Sequence, residues 1–328
     1  MTAATPSMGQ RAGIMISNGW LSARILPFGA SLADLRIAGH DAPLVLGYED
    51  VDTYASHGQY FGAVIGRYAN RIADGHCMVG DDQLSLERND GRNHLHGGPD
   101  GFATQDWQVL SVEPSAVRLG LVEEDGHGGY PGTLQATVTY SLVGNGTLCL
   151  EFEATSDRAT PLNMTHHPYF NFAGHGVIDA HTLTINSDSY LPSRPDLIPT
   201  GDIAGVDNTP FDFRVPRPIH AQGAKIISYN NTFCRPTSAV GLWHAASLVH
   251  GRIAMSLHTD QPGIHFYNGY KISDARPGLG GQRYQPRSAV CLEAQAWPDA
   301  PNNSHFPSTL LSPGERYHRR IEYRFSLH

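Results

Sequence analysis

Apolar and polar residues alternate one by one along much of this chain. Leu148, Leu150, Phe152 and Ala154 are separated by Cys149, Glu151 and Glu153, the period of a strand with one buried face. The preceding run, Gln135 to Leu142, is rich in Thr and Val, and Gly144-Asn145-Gly146 lies between the two, which predicts a β-hairpin. Ile321, Tyr323, Phe325 and Leu327 alternate with Arg320, Glu322, Arg324 and Ser326 in a closing strand. Val117, Leu119 and Leu121 repeat the pattern, with shorter alternations at Leu84-Leu86 and Ile253-Met255-Leu257. Sustained helical periodicity is absent. Many short strands divided by turns predict an all-β fold, a large antiparallel β-sandwich. No repeat or compositional break marks a boundary. The expected organisation is a flexible tail over residues 1–12 and one sandwich domain over 13–328, with the proline-rich stretch Gly201 to His220 forming an ordered loop.

Composition narrows the function. Of 328 residues only 16% are charged, while Gly (35) and Pro (22) are abundant, as suits a turn-rich chain. The formal net charge is −8, and lysine occurs only at Lys225 and Lys271. Nucleic-acid binding needs clustered cations to displace counterions, so it is not expected. No apolar stretch approaches the roughly 20 residues that span a bilayer. The N-terminal MTAATPSMGQRAGIM lacks a basic segment followed by an apolar one, so a cytoplasmic location is expected. Cys77, Cys149, Cys234 and Cys291 are far apart and read as reduced, mostly buried thiols.

Several chemistries lack their motif. There is no GxxxxGK[ST] phosphate loop, strand-linked GxGxxG, HExxH or GxSxG, so no nucleotide, zinc-helix or nucleophile-elbow chemistry is expected, and no cofactor. Among eighteen histidines, His94-Leu95-His96 is the best metal candidate, because residues one apart share a strand face. Asp100 follows, but no third ligand is suitably spaced, and no metal is expected.

Five segments combine polar groups with apolar and glycine neighbours. In Gly66-Arg67-Tyr68-Ala69-Asn70-Arg71-Ile72, Arg71 is either a strand-capping surface residue or a planar donor for vicinal hydroxyls. In Asn93-His94-Leu95-His96-Gly97-Gly98, the paired glycines allow a close backbone approach to a ligand or a tight turn. In Thr165-His166-His167-Pro168-Tyr169-Phe170-Asn171, a histidine is either a general acid or a core residue satisfied by backbone groups. Glu293, in Val290-Cys291-Leu292-Glu293-Ala294-Gln295, lies in an apolar run. It is either half of an ion pair or a base whose pKa burial raises. The segment from Trp297 to Leu311 reads as a rigid, turn-rich wall.

Taken together, these segments resemble the aldose 1-epimerase (galactose mutarotase) family. The resemblance is carried in order by GRYANRIADG (66–75), NHLHGG (93–98), GYPG (129–132), THHPYFNFAG (165–174), TPFDFR (209–214), HFYNG (265–269) and CLEAQAWPDAPNNSHFPSTLLSPGERY (291–317). It implies a large antiparallel β-sandwich with a sugar cleft on one sheet. It also implies Glu293 as general base and His167, the second of the two histidines, as general acid. Asn70, Arg71, His96 and Tyr169 would contact the sugar. Two positions depart from the family pattern. Asn230, in Tyr229-Asn230-Asn231-Thr232-Phe233, stands where an acidic residue is usual, and His265 stands where glutamine is usual. Both are expected among the substrate contacts.

The activity so implied is cofactor-free interconversion of the α and β anomers of a free aldose. Glu293 would take the O1 proton while His167 protonates O5; the open aldehyde would rotate and close again, which needs an ionised carboxylate and a protonated imidazole. The partner is a monosaccharide, on a monomer or a homodimer. The alternatives are a carbohydrate-binding protein without catalysis and an epimerase for a phosphorylated sugar, for which Arg67 and Arg71 are the available cations. Tyr169, Phe211, Phe213 and Trp297 are the aromatic candidates for stacking on the sugar.

Overall fold

A computed structural model describes residues 13–56, 60–220 and 225–328; the expected tail over 1–12 lies outside the described residues. The longer alternating segments form one nine-stranded antiparallel sheet, while Leu84 lies in a separate hairpin of His76–Val79 and Asp82–Ser85. The strands of the large sheet run in the order Arg217–Pro218, Thr182–Ile185, Trp243–His250, Ile253–Thr259, Tyr317–Leu327, Thr147–Ser156, Leu134–Val143, Ala116–Glu123 and Gln108–Glu113. The expected hairpin lies beside the sheet's central strand Tyr317–Leu327, with Leu142 opposite Leu148 and Val138 opposite Phe152. A second sheet runs Ala204–Gly205, Ser189–Tyr190, Asn230–Cys234, Gly263–Tyr267 and Cys291–Gln295. The described α-helix is a single one, Asp52–Ser56.

The two sheets share one core, as a sandwich must. Phe152, Leu257, Ile321 and Tyr323 of the large sheet meet Phe233, Ile264, Phe266, Leu292 and Ala294 of the smaller one in the same buried cluster. Period-two geometry then fixes where the polar groups of the smaller sheet go. With Ile264, Phe266, Leu292 and Ala294 turned inward, His265 and Glu293 turn to the opposite face. On the outer face of the large sheet polar residues form ion pairs instead, such as Arg320 and Arg324 with Glu322.

The Thr165–His167 strand pairs with Ala63–Ile65 and reaches the Cys291–Gln295 strand through Thr165 Oγ1, which donates to the Ala294 carbonyl at 2.6 Å. Alternation separates its two histidines. His166 turns into the core between Tyr140 and Tyr323, at ring distances of 5.6 and 5.7 Å. His167 turns the other way, towards Glu293.

All four cysteines are free and buried, as expected. The Trp297–Asn302 segment is the anticipated wall, and its contacts show what it braces. Asp299 N–H donates to the Arg71 carbonyl and Ala73 N–H to Asp299 Oδ1, at 2.8 and 2.9 Å. Asn163 ties the same region together by donating to the Ala69 carbonyl and accepting from Ala296 N–H.

Candidate active site

Glu293 and His167 converge on the outer face of the smaller sheet. Nε2 of His167 lies 3.5 Å from Oε2 of Glu293, and both side chains are buried. His96 joins them, and one ligand atom from each of the three lies within 4.8 Å of the others. The His96 and His167 rings are 5.4 Å apart. Tyr169 stacks on His167 at 4.8 Å with planes 9° apart, which holds the imidazole in place.

Burial sets the charge state. Desolvation pushes the Glu293 carboxyl up to about 8, against an opposing pull from the Arg71 charge. Desolvation likewise pushes His167 down to about 3. Both shifts favour uncharged groups, so the resting pair holds its single proton on the carboxyl. The ionised arrangement expected for Glu293 and His167 is therefore not the resting one. Solvent exclusion around both groups is the reason the resting state differs.

His96 shows how backbone geometry aims a side chain. It lies in the left-handed region at φ 54°, as does Asn70 at φ 64°. The Asn70 N–H donates to Nδ1 of His96 at 3.1 Å. Desolvation, the largest influence, holds His96 well below its usual pKa, so the ring carries one proton. With Nδ1 accepting, that proton sits on Nε2, and the ring presents a donor to the pocket. The same hydrogen bond weakens His96 as a metal ligand. A metal-binding histidine normally donates from its second nitrogen, whereas here that nitrogen accepts. The cluster has the spacing of a metal site, but in this tautomer Nε2 of His96 lacks the free lone pair a ligand needs.

The expectation that His94 and His96 share a face is corrected. The strand is only His94–Leu95, and the left-handed residue that ends it turns His96 away. His94 contacts the Glu87 carbonyl and the Tyr130 hydroxyl, each at 2.6 Å. The neighbouring glycine permits a close backbone approach, but to the protein itself. A Cβ on Gly97 would lie 1.8 Å from the Gly66 carbonyl oxygen.

Arg71 is buried and donates from Nε to Asp90 Oδ2 at 2.7 Å, which fixes its plane and leaves its terminal nitrogens for a ligand. Asn70 accepts from the Arg71 N–H through Oδ1. Arg67 is committed elsewhere. Fully buried, it pairs with Glu123 at 3.0 Å and donates to the Pro131 and Gly132 carbonyls. A phosphorylated sugar therefore loses one of its two available cations.

Asn230 and His265 bond to each other. Nε2 of His265 lies 2.6 Å from Asn230 Oδ1, and Nδ1 lies 2.9 Å from Thr232 Oγ1. The aromatic candidates fare less well. Phe213 is in the core, Trp297 packs on Phe306, and Phe211 stacks on Tyr190. Tyr60, absent from the sequence reading, is half-buried, with its ring 4.9 Å from His96 and 6.1 Å from His167. Asp90 was also missed. Neither has a sequence signal, because each depends on a loop meeting a distant strand.

Comparison with known proteins places this arrangement in a family. The family model described as aldose 1-epimerase matches residues 13–324. A galactose mutarotase of Rattus norvegicus is 40% identical over 321 residues, covering 94% of this chain and 92% of that protein. An aldose 1-epimerase of Escherichia coli K12 is 32% identical over 323 residues, covering 94% and 93%. The crystal structure of an aldose epimerase homologue from C. elegans superposes with a TM-score of 0.91 at 30% identity, over 96% of this chain and 98% of that one. A galactose 1-epimerase from Lactobacillus acidophilus NCFM gives 0.82 at 25% identity, over 95% and 92%. Sequence and fold agree over nearly the whole length, and the chain belongs to the aldose 1-epimerase family.

Proposed function

We propose that this protein interconverts the α and β anomers of a free aldose, with Glu293 and His167 as the proton-transfer pair. The observation that carries the reading is their separation of 3.5 Å, with both side chains buried. A pyranose seated there puts O1 and O5 within reach of two groups that share one proton. Glu293 accepts the O1 proton as His167 donates to O5, the C1–O5 bond breaks, and the aldehyde turns about C1–C2 before the steps reverse. To reach that state, the proton resting on Glu293 passes to His167 as the sugar enters. The positive charge of Arg71 favours the carboxylate that results.

The remaining groups position the ring. Arg71 offers a planar pair of donors, Asn70 an amide, and His96 its Nε2–H to the oxygen that gains electron density. Tyr169 supports the His167 ring. Asn230 and His265 form the far side of the site. The protein acts as an isomerase on a monosaccharide, and no described helix is long and apolar enough to cross a membrane.

Polarimetry on freshly dissolved α-glucose and α-galactose tests the reading. The expected result is a first-order approach to equilibrium that accelerates in proportion to protein concentration. A rate equal to the spontaneous one with every aldose tried would instead leave a sugar-binding protein.

A further inference from the structure

We propose that the Asn230 corner admits a carboxylate, so that aldouronic acids are substrates alongside neutral aldoses; this rests on the anomerase reading above. The geometry begins with three adjacent strands. His265 is paired with Glu293 on one side and with Thr232 on the other, while Asn230 lies opposite Tyr267. All project from the sheet face that carries Glu293. Strands lie about 4.8 Å apart, so Asn230 stands two strand spacings from the base, at the opposite end of a pyranose whose O1 meets Glu293.

The hydrogen bonds then fix which end of the amide faces the sugar. Thr232 Oγ1 donates to Nδ1 of His265, and the neutral ring donates from Nε2 to Asn230 Oδ1. The amide oxygen is spent, and the two N–H donors of Asn230 remain. Asn230 is a specificity residue, and His265 and Thr232 are positioning residues.

The charges around the corner point the same way. The Arg71 charge reaches both His265 and Glu293, and the one carboxylate bonded to Arg71 is Asp90, on the far Nε edge. An anionic oxygen at this corner therefore meets the amide donors of Asn230 within the field of the Arg71 charge, and among the described residues no carboxylate is bonded to Asn230 or His265. Hydrogen bonds to charged groups are stronger than neutral ones, so the corner gains from a carboxylate rather than merely tolerating it.

The test is anomer exchange measured by NMR saturation transfer on the full chain with glucose, galactose, glucuronate and galacturonate, each against a protein-free control. Acceleration of both hexose and uronate exchange is expected. Asn230→Asp should lower the uronate-to-hexose ratio of kcat/KM by roughly tenfold or more. His265→Gln should raise the uronate KM with less effect on kcat, a split that general misfolding would not produce. Hexose acceleration without any uronate acceleration overturns this inference and leaves the anomerase reading standing. No acceleration for either class removes the reading itself. An unchanged ratio in a folded Asn230→Asp variant takes the selectivity away from Asn230, and if that variant does not fold the wild-type panel still decides.

Discussion

The Asn70 backbone N–H and the His96 ring form a lock: donation into Nδ1 leaves the imidazole proton only on Nε2, in a ring clustered with His167 and Glu293. Long-range proton–nitrogen NMR spectra should therefore show His96 as the Nε2–H tautomer throughout the neutral pH range. A Nδ1–H tautomer would remove it as a donor and restore the trio as a metal site.

In the proposed mechanism Glu293 and His167 work with one proton between them. Burial places the loss of that proton near 8 and the gain of a second near 3. Activity should hold a broad plateau, decline on the alkaline side as pH rises past about 8, and decline on the acid side towards about 3. Rates from pH 3 to 10 check this; an alkaline limb already complete by pH 6 contradicts it.

Stability should respond to the same group with a definite sign. The folded-state pKa of Glu293 is raised above the ordinary 4.5, so its contribution is present below that value and is lost as pH rises through about 8. Glu293→Gln should fold normally, lose activity by roughly 10²–10⁴-fold, and resist alkaline denaturation better than wild type. His166, His167 and His265 act in the opposite sense. Their pKa values fall from 6.5 to about 3, so stability is full above 6.5 and is lost on acidification towards 3. Denaturant midpoints across pH report both trends.

Asp90 touches no reacting atom, yet it holds the Arg71 plane. Asp90→Ala should raise KM for every aldose by several-fold while kcat changes less, a modest effect because Asp90 is about a third exposed. Initial rates over a sugar concentration series measure the split. A selective loss of kcat would mean that Asp90 takes part in proton transfer.

Much of this was legible in the sequence, for identifiable reasons. The alternation at 134–156 and 317–327 translated directly into strands, because one face is buried and the other solvated. Glu293 stood out because an acid in an apolar run is costly to bury. Which of His166 and His167 faces the site was implied by resemblance alone; the structure explains it by strand parity. What stayed hidden depends on long-range loop contacts. Tyr60 meets His96 across 36 positions, by the numbering, and Asp90 meets Arg71 across 19. The two departures, Asn230 and His265, were visible one at a time, but not as bonded partners 35 positions apart.

The alternation in the smaller sheet also bears on how such a protein diversifies. Positions 264, 266, 292 and 294 hold the fold together, while 230, 265 and 293, the proposed sugar contacts, lie on the other side of the same strands. Recognition can drift at alternate letters of the text while the letters between them are left untouched, so a lineage can acquire a new diet without rebuilding its skeleton.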